Sequence, residues 1–558
     1  MNKPGFANQI SWILLGGRPH DETVLGSRAS RQRVECGAGI LIAATAILFY
    51  FWRCHFGVDL VDEPAYLAPG LSLFPQGDIP FIDEMFMGPR HSHILNFWIL
   101  RPLLGAGFTF LSARLLAVGL YAGLLLLFTL LCFRRQWGVT SALAFSAVLL
   151  YDPFLMPTWS HNWWLRDLLL LHAIFALLSR PLLAGIAYGL AVIAYFPIAL
   201  IAPLLFLWHR HRRFLGAFAV TLIFYSIYLV QKGWAPAWLH SLSATHHLAP
   251  YQGIVSFSRF SSPVLALAQS RELWVFLSAG LVLPRVGDKR IRATLMAGVC
   301  VWIFRRLFQM VSIEPSHTLY LGMGLAAGLI LRNLYRWLAL STIGGAWIMA
   351  IASISGPLAL FWLVPLLWIP FAAQTRQQRI SPLFHSLSLV LMLGAAVSVQ
   401  WRGRFGDARL KELNSVIKTG PWRGISTTDR RRFLVEKLGE ILDSHHGEFA
   451  FTTPMLPAAF ASGLRPSLNT IFEDSQVPAQ FRELSALRLL HRTPTFVIEP
   501  KTHPWTWGAG HQPLPQTPDP LSTIAHCLRS TPLLNEPELA IHSVDPDRIE
   551  FCLSTNQG

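Results

Sequence analysis

From residue 36 to about residue 400 the chain is a succession of long apolar runs separated by short loops that carry arginine. A helix that crosses a bilayer takes roughly 20 mostly apolar residues, somewhat fewer where protein rather than lipid surrounds it. Thirteen runs fit that description, near 36–53, 112–133, 139–156, 164–179, 182–196, 197–208, 214–231, 271–284, 291–309, 317–332, 336–351, 357–373 and 382–399. The stretch 94–107 is apolar but short and holds Arg101, so it reads as a helix lying on the membrane surface. Composition agrees: 53% of the 558 residues are hydrophobic and only 14% charged, where soluble domains run near a quarter. The chain is expected to be a polytopic α-helical membrane protein.

The distribution of charge gives an orientation. With the N-terminal segment 1–35 (Arg18, Arg28, Arg31 and Arg33) in the cytoplasm, alternate loops collect the basic residues. They hold Arg134 and Arg135; Arg180; Arg210, Arg212 and Arg213; Arg285, Lys289, Arg290 and Arg292; Arg332; and Arg376 with Arg379. The opposite side receives the acidic loop 54–111, the loop WSHNWW, the loop 232–270 and the tail from 401 to 558. An odd number of crossings puts that tail outside the cytoplasm. No cleavable signal peptide is expected, because the first apolar run is not followed by a small-residue cleavage site. The formal charge of +15 does not indicate nucleic acid as a partner. Its arginines are spread over loops instead of forming a stripe interleaved with stacking aromatics.

The tail regains charge, Pro, Ser and Thr. RRRFLVEKLGEILDSHHG has helical spacing, FAFTTP and TPTFVIEP read as strands ended by proline, and RIEFCL as a third. A small α/β domain over 401–558 follows. The six cysteines show no CxxC spacing, so a zinc or redox centre is not expected. Cys527 and Cys552 can pair if the tail lies in an oxidising compartment.

Chemistry is concentrated between Val58 and Trp98, directly after the first apolar run. The stretch carries six carboxylates, Asp59, Asp62, Glu63, Asp78, Asp83 and Glu84, and then Arg90, His91 and His93. Carboxylates crowded against a membrane surface repel one another and are costly to desolvate. Each could be a general base, a metal ligand or a helix cap. Asp62-Glu63-Pro64 has the pattern of a helix start, so capping by Asp62 alone is the plainest alternative.

The order Asp-Glu, a short helix, Gly77-Asp78-x-Pro80-Phe81-x-Asp83, then Pro89-Arg90, resembles membrane glycosyltransferases of the GT-C fold. Within them it is most similar to the aminoarabinose-transferase and protein O-mannosyltransferase branch. Ser112-Ala113-Arg114-Leu115 resembles the element that opens that family's second span. The likeness covers the architecture of residues 36–400, and in specific residues mostly 58–115. It implies transfer of a hexosyl or pentosyl group from a polyprenyl-phosphate sugar to a lipid, glycan or protein acceptor on the extracytoplasmic face. For a bacterial chain it further implies the inner membrane. Asp62 matches the family's catalytic aspartate and Glu63 its partner, while Arg90, His91 and His93 stand where phosphate-contacting basic residues are found. Asp83 belongs to the same substrate-binding stretch. No cofactor is implied, and a divalent metal on Asp62, Glu63 and Asp83, as in oligosaccharyltransferases, is disfavoured because this branch works without one.

Other candidates are more dispersed. Asp167, beside Arg166, stands where the family often has a polar group facing the site; the alternative is that the two residues satisfy each other. Trp159, Trp163 and Trp164 read as an aromatic belt, which demotes His161 and Asn162, and Asp152 before proline reads as a turn. Tyr195 lies where relatives often have Thr-Lys; this chain lacks that lysine, a departure that bears on how the donor phosphate is held. Arg305 and Arg306 run against the charge bias at an outer helix end and could hold a phosphate or pair with Glu314, with His317 and Tyr320 on the same rim. His240, His246 and His247 have poor metal-ligand spacing. No Walker, dinucleotide or hydrolase signature is present. The competing readings are a lipid or polysaccharide transporter or flippase, which would place charges at the bilayer midplane in broken helices, and a non-catalytic envelope scaffold.

Overall fold

The computed structural model describes residues 22–83, 88, 90–105, 107–134, 136–151, 157–209, 211–246, 335–352, 363–377, 393–394, 396–397, 400, 407–452, 456–461, 463–468, 488–502 and 520–554. Its first half is helical: α1 (Glu22–Arg53), α2 (Asp62–Ala68), α3 (Ser92–Leu95), α4 (Arg101–Leu104), α5 (Phe110–Cys132), α6 (Val139–Leu150), α7 (His161–Leu177), α8 (Pro181–Ala194), α9 (Ala202–His209), α10 (Arg212–Gln231) and α11 (Ala235–His246). Two more apolar-region helices follow, α12 (Arg336–Ala352) and α13 (Trp368–Gln377). Among the described residues, three helical stretches are long and apolar enough to cross a membrane: Gln32–Arg53, Phe110–Cys132 and Arg212–Gln231. Shorter apolar helices cover Val139–Leu150, Pro181–Ala194, Phe196–His209 and Val364–Ala373. The expected spans 271–284, 291–309 and 317–332 lie outside the described residues, as does most of 382–399.

The helices behave as membrane helices do. On α10, Val220, Ile223, Phe224, Ile227 and Val230 are exposed, a stripe that water would not favour but lipid accepts. The opposite side of α10 packs on α8, which in turn packs on α7. Gly185 and Gly189, four apart on α8, permit that closeness. A Cβ at Gly185 would collide with the Phe214 carbonyl, and one at Gly189 would lie 2.7 Å from Thr221. Small residues at this spacing let backbones approach where no hydrophobic effect drives association. The stretch 94–107 is helical in pieces: α3, a π turn over Asn96–Leu100, then α4, with Ile94, Leu95, Asn96 and Leu100 buried.

The tail contains β1 (Ser415–Val416) and β2 (Ser426–Thr427), then α14 (Asp429–Leu442), β3 (Phe449–Thr452), α15 (Ala458–Ala461), β4 (Arg465–Pro466), β5 (Phe496–Pro500), α16 (Pro520–Leu528), β6 (Arg529–Asn535), β7 (Leu539–Val544) and α17 (Ile549–Ser554). Strands β1 and β2 pair antiparallel. The larger sheet has the order β4-β3-β5-β7-β6, with β3 parallel to β4 and β5, and β7 antiparallel to β5 and β6. FAFTTP and TPTFVIEP form the strands expected of them. RIEFCL does not; it is the start of α17. Its buried residues Ile549, Cys552 and Leu553 fall at helical spacing, which seats Cys552 against α16 and joins it to Cys527 in a disulfide. The β6–β7 hairpin was not anticipated, since Pro532 interrupts its apolar pattern. Proline is tolerated there because β6 is the sheet's edge strand.

One hydrophobic core runs from the apolar helices into the tail, taking in Phe110 and Leu125 as well as Trp422, Leu434 and Leu438. A second, smaller core lies around Phe451, Val497, Ile524 and Cys552. The tail is therefore built onto the acidic loop: one face of its sheet, with Phe496, Ile498, Leu539 and Ile541, joins the first core, and the other face carries the second.

Candidate active site

The acidic loop begins with a helix start whose capping is done by Asp59. Its Oδ1 accepts from the backbone N–H of Val61 (2.7 Å) and of Asp62 (3.0 Å). These are first-turn donors that would otherwise lack partners. The alternative role for Asp62, capping, is thereby taken by Asp59: no hydrogen bond to the Asp62 carboxylate is found among the described residues. Glu63, one residue on, points the other way into the core. Arg114 of α5 grips both its oxygens, Nε to Oε1 at 2.6 Å and Nη2 to Oε2 at 2.5 Å, and also donates to the Cys54 carbonyl. Both side chains are fully buried. The two-pronged geometry is what makes such a pair tolerable away from water. Glu63, expected as a partner in catalysis, has its carboxylate committed to this structural fork.

The tail fixes the strand of chain that leads into α2. Asp407 accepts from the Val58 N–H (2.7 Å) and the Thr427 hydroxyl (2.8 Å), while Arg431 of α14 donates to the Val58 carbonyl (2.7 Å). Arg431 and Asp407, both fully buried, lie 3.7 Å apart. Backbone bonds from Gly57 to Ser426, Ser426 to His55, Ala458 to Leu60 and Phe110 to Pro421 add to the hold. Burial pushes the Asp59 carboxyl well up, and the charges of Asp62 and Glu63 push it further. Burial also raises Asp62 to about 6, against the pull of the Arg90 guanidinium.

Farther along, Asp78 and Asp83 meet arginines of the tail. Arg465 donates to Asp78 through Nε (2.8 Å) and Nη2 (2.5 Å); Arg492 lies 2.8 Å from Asp83 and 3.6 Å from Asp78; Arg488 closes on Asp83 and donates to the Ile82 carbonyl at 2.7 Å. The other Asp83 oxygen accepts from the Ile79 N–H at 2.6 Å. Between them Phe81 adopts φ 67°, a left-handed backbone that costs a non-glycine residue of order 1–3 kcal/mol. Its ring is buried 4.8 Å from the His91 ring. Asp83, expected among the substrate-binding residues, is placed in this clamp between loop and tail.

The basic trio separates in the same way. His91 is buried, with Nδ1 against the Tyr225 hydroxyl and Nε2 2.9 Å from the Gly88 carbonyl, among the rings of Phe81, Phe196, Tyr225 and Trp238. Burial lowers it to about 3, so it brings no charge to a phosphate. His93 donates from Nδ1 to the Tyr66 carbonyl (3.1 Å) and is lowered to about 4, first by burial and then by Arg90. Arg90 is the cation of the trio, half-buried and close enough to act on both Asp62 and His93.

The segment that leads into α7 packs against this arrangement through Asn96. Trp159, Trp163 and Trp164 are buried, so they are core and not the aromatic belt expected of them. Asn96, which the sequence reading passed over, ties them in. Its amide donates to the Tyr66 (2.9 Å) and Trp159 (3.1 Å) carbonyls and its oxygen accepts from Trp164 Nε1 (2.7 Å). An asparagine inside an otherwise apolar run was the available signal. Asp167 is buried 3.3 Å from Arg166, whose guanidinium stacks on Tyr121 (3.4 Å) and Trp163 (3.8 Å). Arg166 engages only Oδ1 of Asp167; Oδ2 is buried without a hydrogen-bond partner among the described residues, so the pair is satisfied in part. Tyr195 is buried, its ring 5.1 Å from that of His161, which in turn lies 5.6 Å from Tyr66. Asp62, Tyr66, Arg90, His93, His161 and Tyr195 form the polar cluster. His240 is exposed on α11, away from it. Glu84, Asp152, His247, Arg305, Arg306, Glu314, His317 and Tyr320 lie outside the described residues, as does the side chain of His246. Among the described residues no group of three or more His, Cys, Asp or Glu side chains is arranged to hold a metal ion.

Solved structures similar to this chain include two crystal structures of ArnT from Cupriavidus metallidurans. Against the apo state it has 14% sequence identity and a TM-score of 0.44, over 92% of this chain and 98% of that one. Against the same protein bound to undecaprenyl phosphate the values are 14% and 0.45, over 91% and 98%. No protein-family model matches the sequence, and no curated protein does.

Proposed function

We propose that this chain is a membrane glycosyltransferase that moves a sugar from a polyprenyl-phosphate donor to an acceptor at the extracytoplasmic face, with Asp62 as general base. The observation that carries the reading is the state of Asp62. Of the described carboxylates in its loop it is the one not consumed by a cap, a fork or a clamp. It is held at a rigid helix start and raised to about 6. A base in that range is ionised near neutral pH and still takes up a proton readily.

In this reading the acceptor oxygen or nitrogen attacks the anomeric carbon and its proton passes to Asp62. The bond from that carbon to the phosphate oxygen breaks, and the polyprenyl phosphate leaves with the electron pair. Arg90 balances the phosphate charge at the membrane surface. The motif order from Asp62 to Arg114 supports the substrate class, and the Cys527–Cys552 disulfide supports an oxidising compartment for the tail. The test is transfer of radiolabel from polyprenyl-phosphate sugars in membranes holding wild type or Asp62→Asn. A fully active Asp62→Asn protein would end the assignment of the base. Wild type inert toward every donor, with movement of lipid in liposomes, would favour a transporter.

A further inference from the structure

His161 is the first residue of α7, following the Ser160 cap, and it is 2% exposed. Among the described residues neither ring nitrogen has a hydrogen-bond partner. Buried imidazole nitrogens left in this condition are costly, and interiors seldom contain them without a reason. The surroundings supply no internal partner: Tyr66 and Tyr195 present ring faces and edges at 5.6 and 5.1 Å. Burial and the nearby Arg90 guanidinium both disfavour a charged ring. A neutral imidazole offers one N–H donor and one lone pair. That pairing matches a hydroxyl group, which both donates and accepts, better than it matches a phosphate, which only accepts.

Position supports the match. Tyr66 lies one helical turn after Asp62 on α2, so the carboxylate and the Tyr66 ring share a face. Tyr66 is half-buried, and its ring lies 5.6 Å from that of His161, so one residue touches the helix that carries Asp62 and the ring of His161. Arg90, which acts on both Asp62 and His161, supplies the charge for a phosphate.

We propose that His161 holds the sugar of the lipid-linked donor through its hydroxyls, one ring nitrogen donating and the other accepting, as a specificity-determining contact separate from the phosphate contact. This rests on the glycosyltransferase reading above. The test compares His161→Phe with wild type as full-length protein in detergent, without acceptor. The probes are a short-chain polyprenyl phosphate with and without an attached hexose. Phenylalanine keeps a flat ring between the two tyrosines and removes both nitrogens. The ligand-free variant is expected to melt no lower than wild type, to bind the bare lipid phosphate within twofold, and to lose about tenfold in affinity for the sugar-bearing lipid. His161→Asn, which keeps a donor and an acceptor, is expected to recover part of that loss. A lowered melting temperature would assign the ring a structural role and overturn the proposal. So would unchanged binding of the sugar lipid, or equal loss for both lipids. Wild type that binds neither lipid would instead overturn the functional reading on which it depends.

Discussion

The two ends of the acidic loop start from the same chemistry and finish differently. At the Asp78–Asp83 end, three arginines of the tail occupy the carboxylates, and the loop is bolted to the sheet. At the Asp59–Asp62 end the tail also provides an arginine, but Arg431 binds the Val58 carbonyl and Asp407, not Asp62. The same domain thus neutralises one pair of acids and, at the other end, leaves Asp62 without a hydrogen bond among the described residues. Backbone can be held as firmly by its own amide groups as by charged side chains, and holding it that way keeps a carboxylate in reserve.

The largest expected effect tests this contrast directly. Asp62→Asn should lower transfer by about 10²–10⁴-fold while leaving the melting temperature equal or slightly higher. The sign follows from linkage. A carboxyl raised on folding binds protons more tightly when folded, so its ionisation lowers stability as pH climbs from the usual carboxylate range to about 6. The amide removes that loss. A large fall in melting temperature would make Asp62 structural and erase the difference between the two ends.

Glu63→Gln should do the reverse. It strands Arg114 without its counter-charge in a dry site, an expected loss of about 3–5 kcal/mol of stability read in thermal unfolding of the solubilised protein. Transfer per folded molecule should change less than in Asp62→Asn. If activity collapses while stability holds, Glu63 acts on substrate after all.

Next in size is the pH profile. Transfer should climb about tenfold per pH unit below an apparent pKa of about 6 and level off above it, because Asp62 must be ionised to take the acceptor's proton. A flat profile between pH 5 and pH 8 would sink the role of Asp62 as base. The smallest effect belongs to the clamp. Asp83→Asn weakens ion pairs whose arginine side chains keep 22% and 11% exposure, so the expected loss is about 1 kcal/mol, with transfer reduced only a few-fold. A loss of transfer comparable to that of Asp62→Asn would show that both ends of the loop face substrate.

Much of this was legible in the sequence because it is local. Apolar runs announce helices by length, and the described helices fall within a few residues of the expected 112–133, 164–179 and 214–231. The start of α2 at Asp62 and the pairing of Cys527 with Cys552 were legible too. The partners of the carboxylates were not. Arg465 and Asp78 are 387 residues apart, Arg488 and Asp83 405. No periodicity or spacing encodes a contact that depends on how a distant sheet docks. Asp59 was passed over as the cap because Asp62-Glu63-Pro64 marks the helix start itself, while the capping carboxylate stands three residues before it. His161 was demoted because three neighbouring tryptophans imitate an interfacial belt; their burial shows a core. RIEFCL has the composition of a strand, and the disulfide geometry it serves has no local signature.

The hold of Asp407 and Arg431 on Val58 also bears on the order of events during synthesis. The loop leaves the ribosome several hundred residues before the groups that pin it. Until the tail has been made and folded against the loop, the nascent chain lacks the Asp407 and Arg431 contacts that hold Val58. On the proposed function, chemistry would wait for the last step of maturation, and a product cut short before residue 407 should insert normally and remain silent.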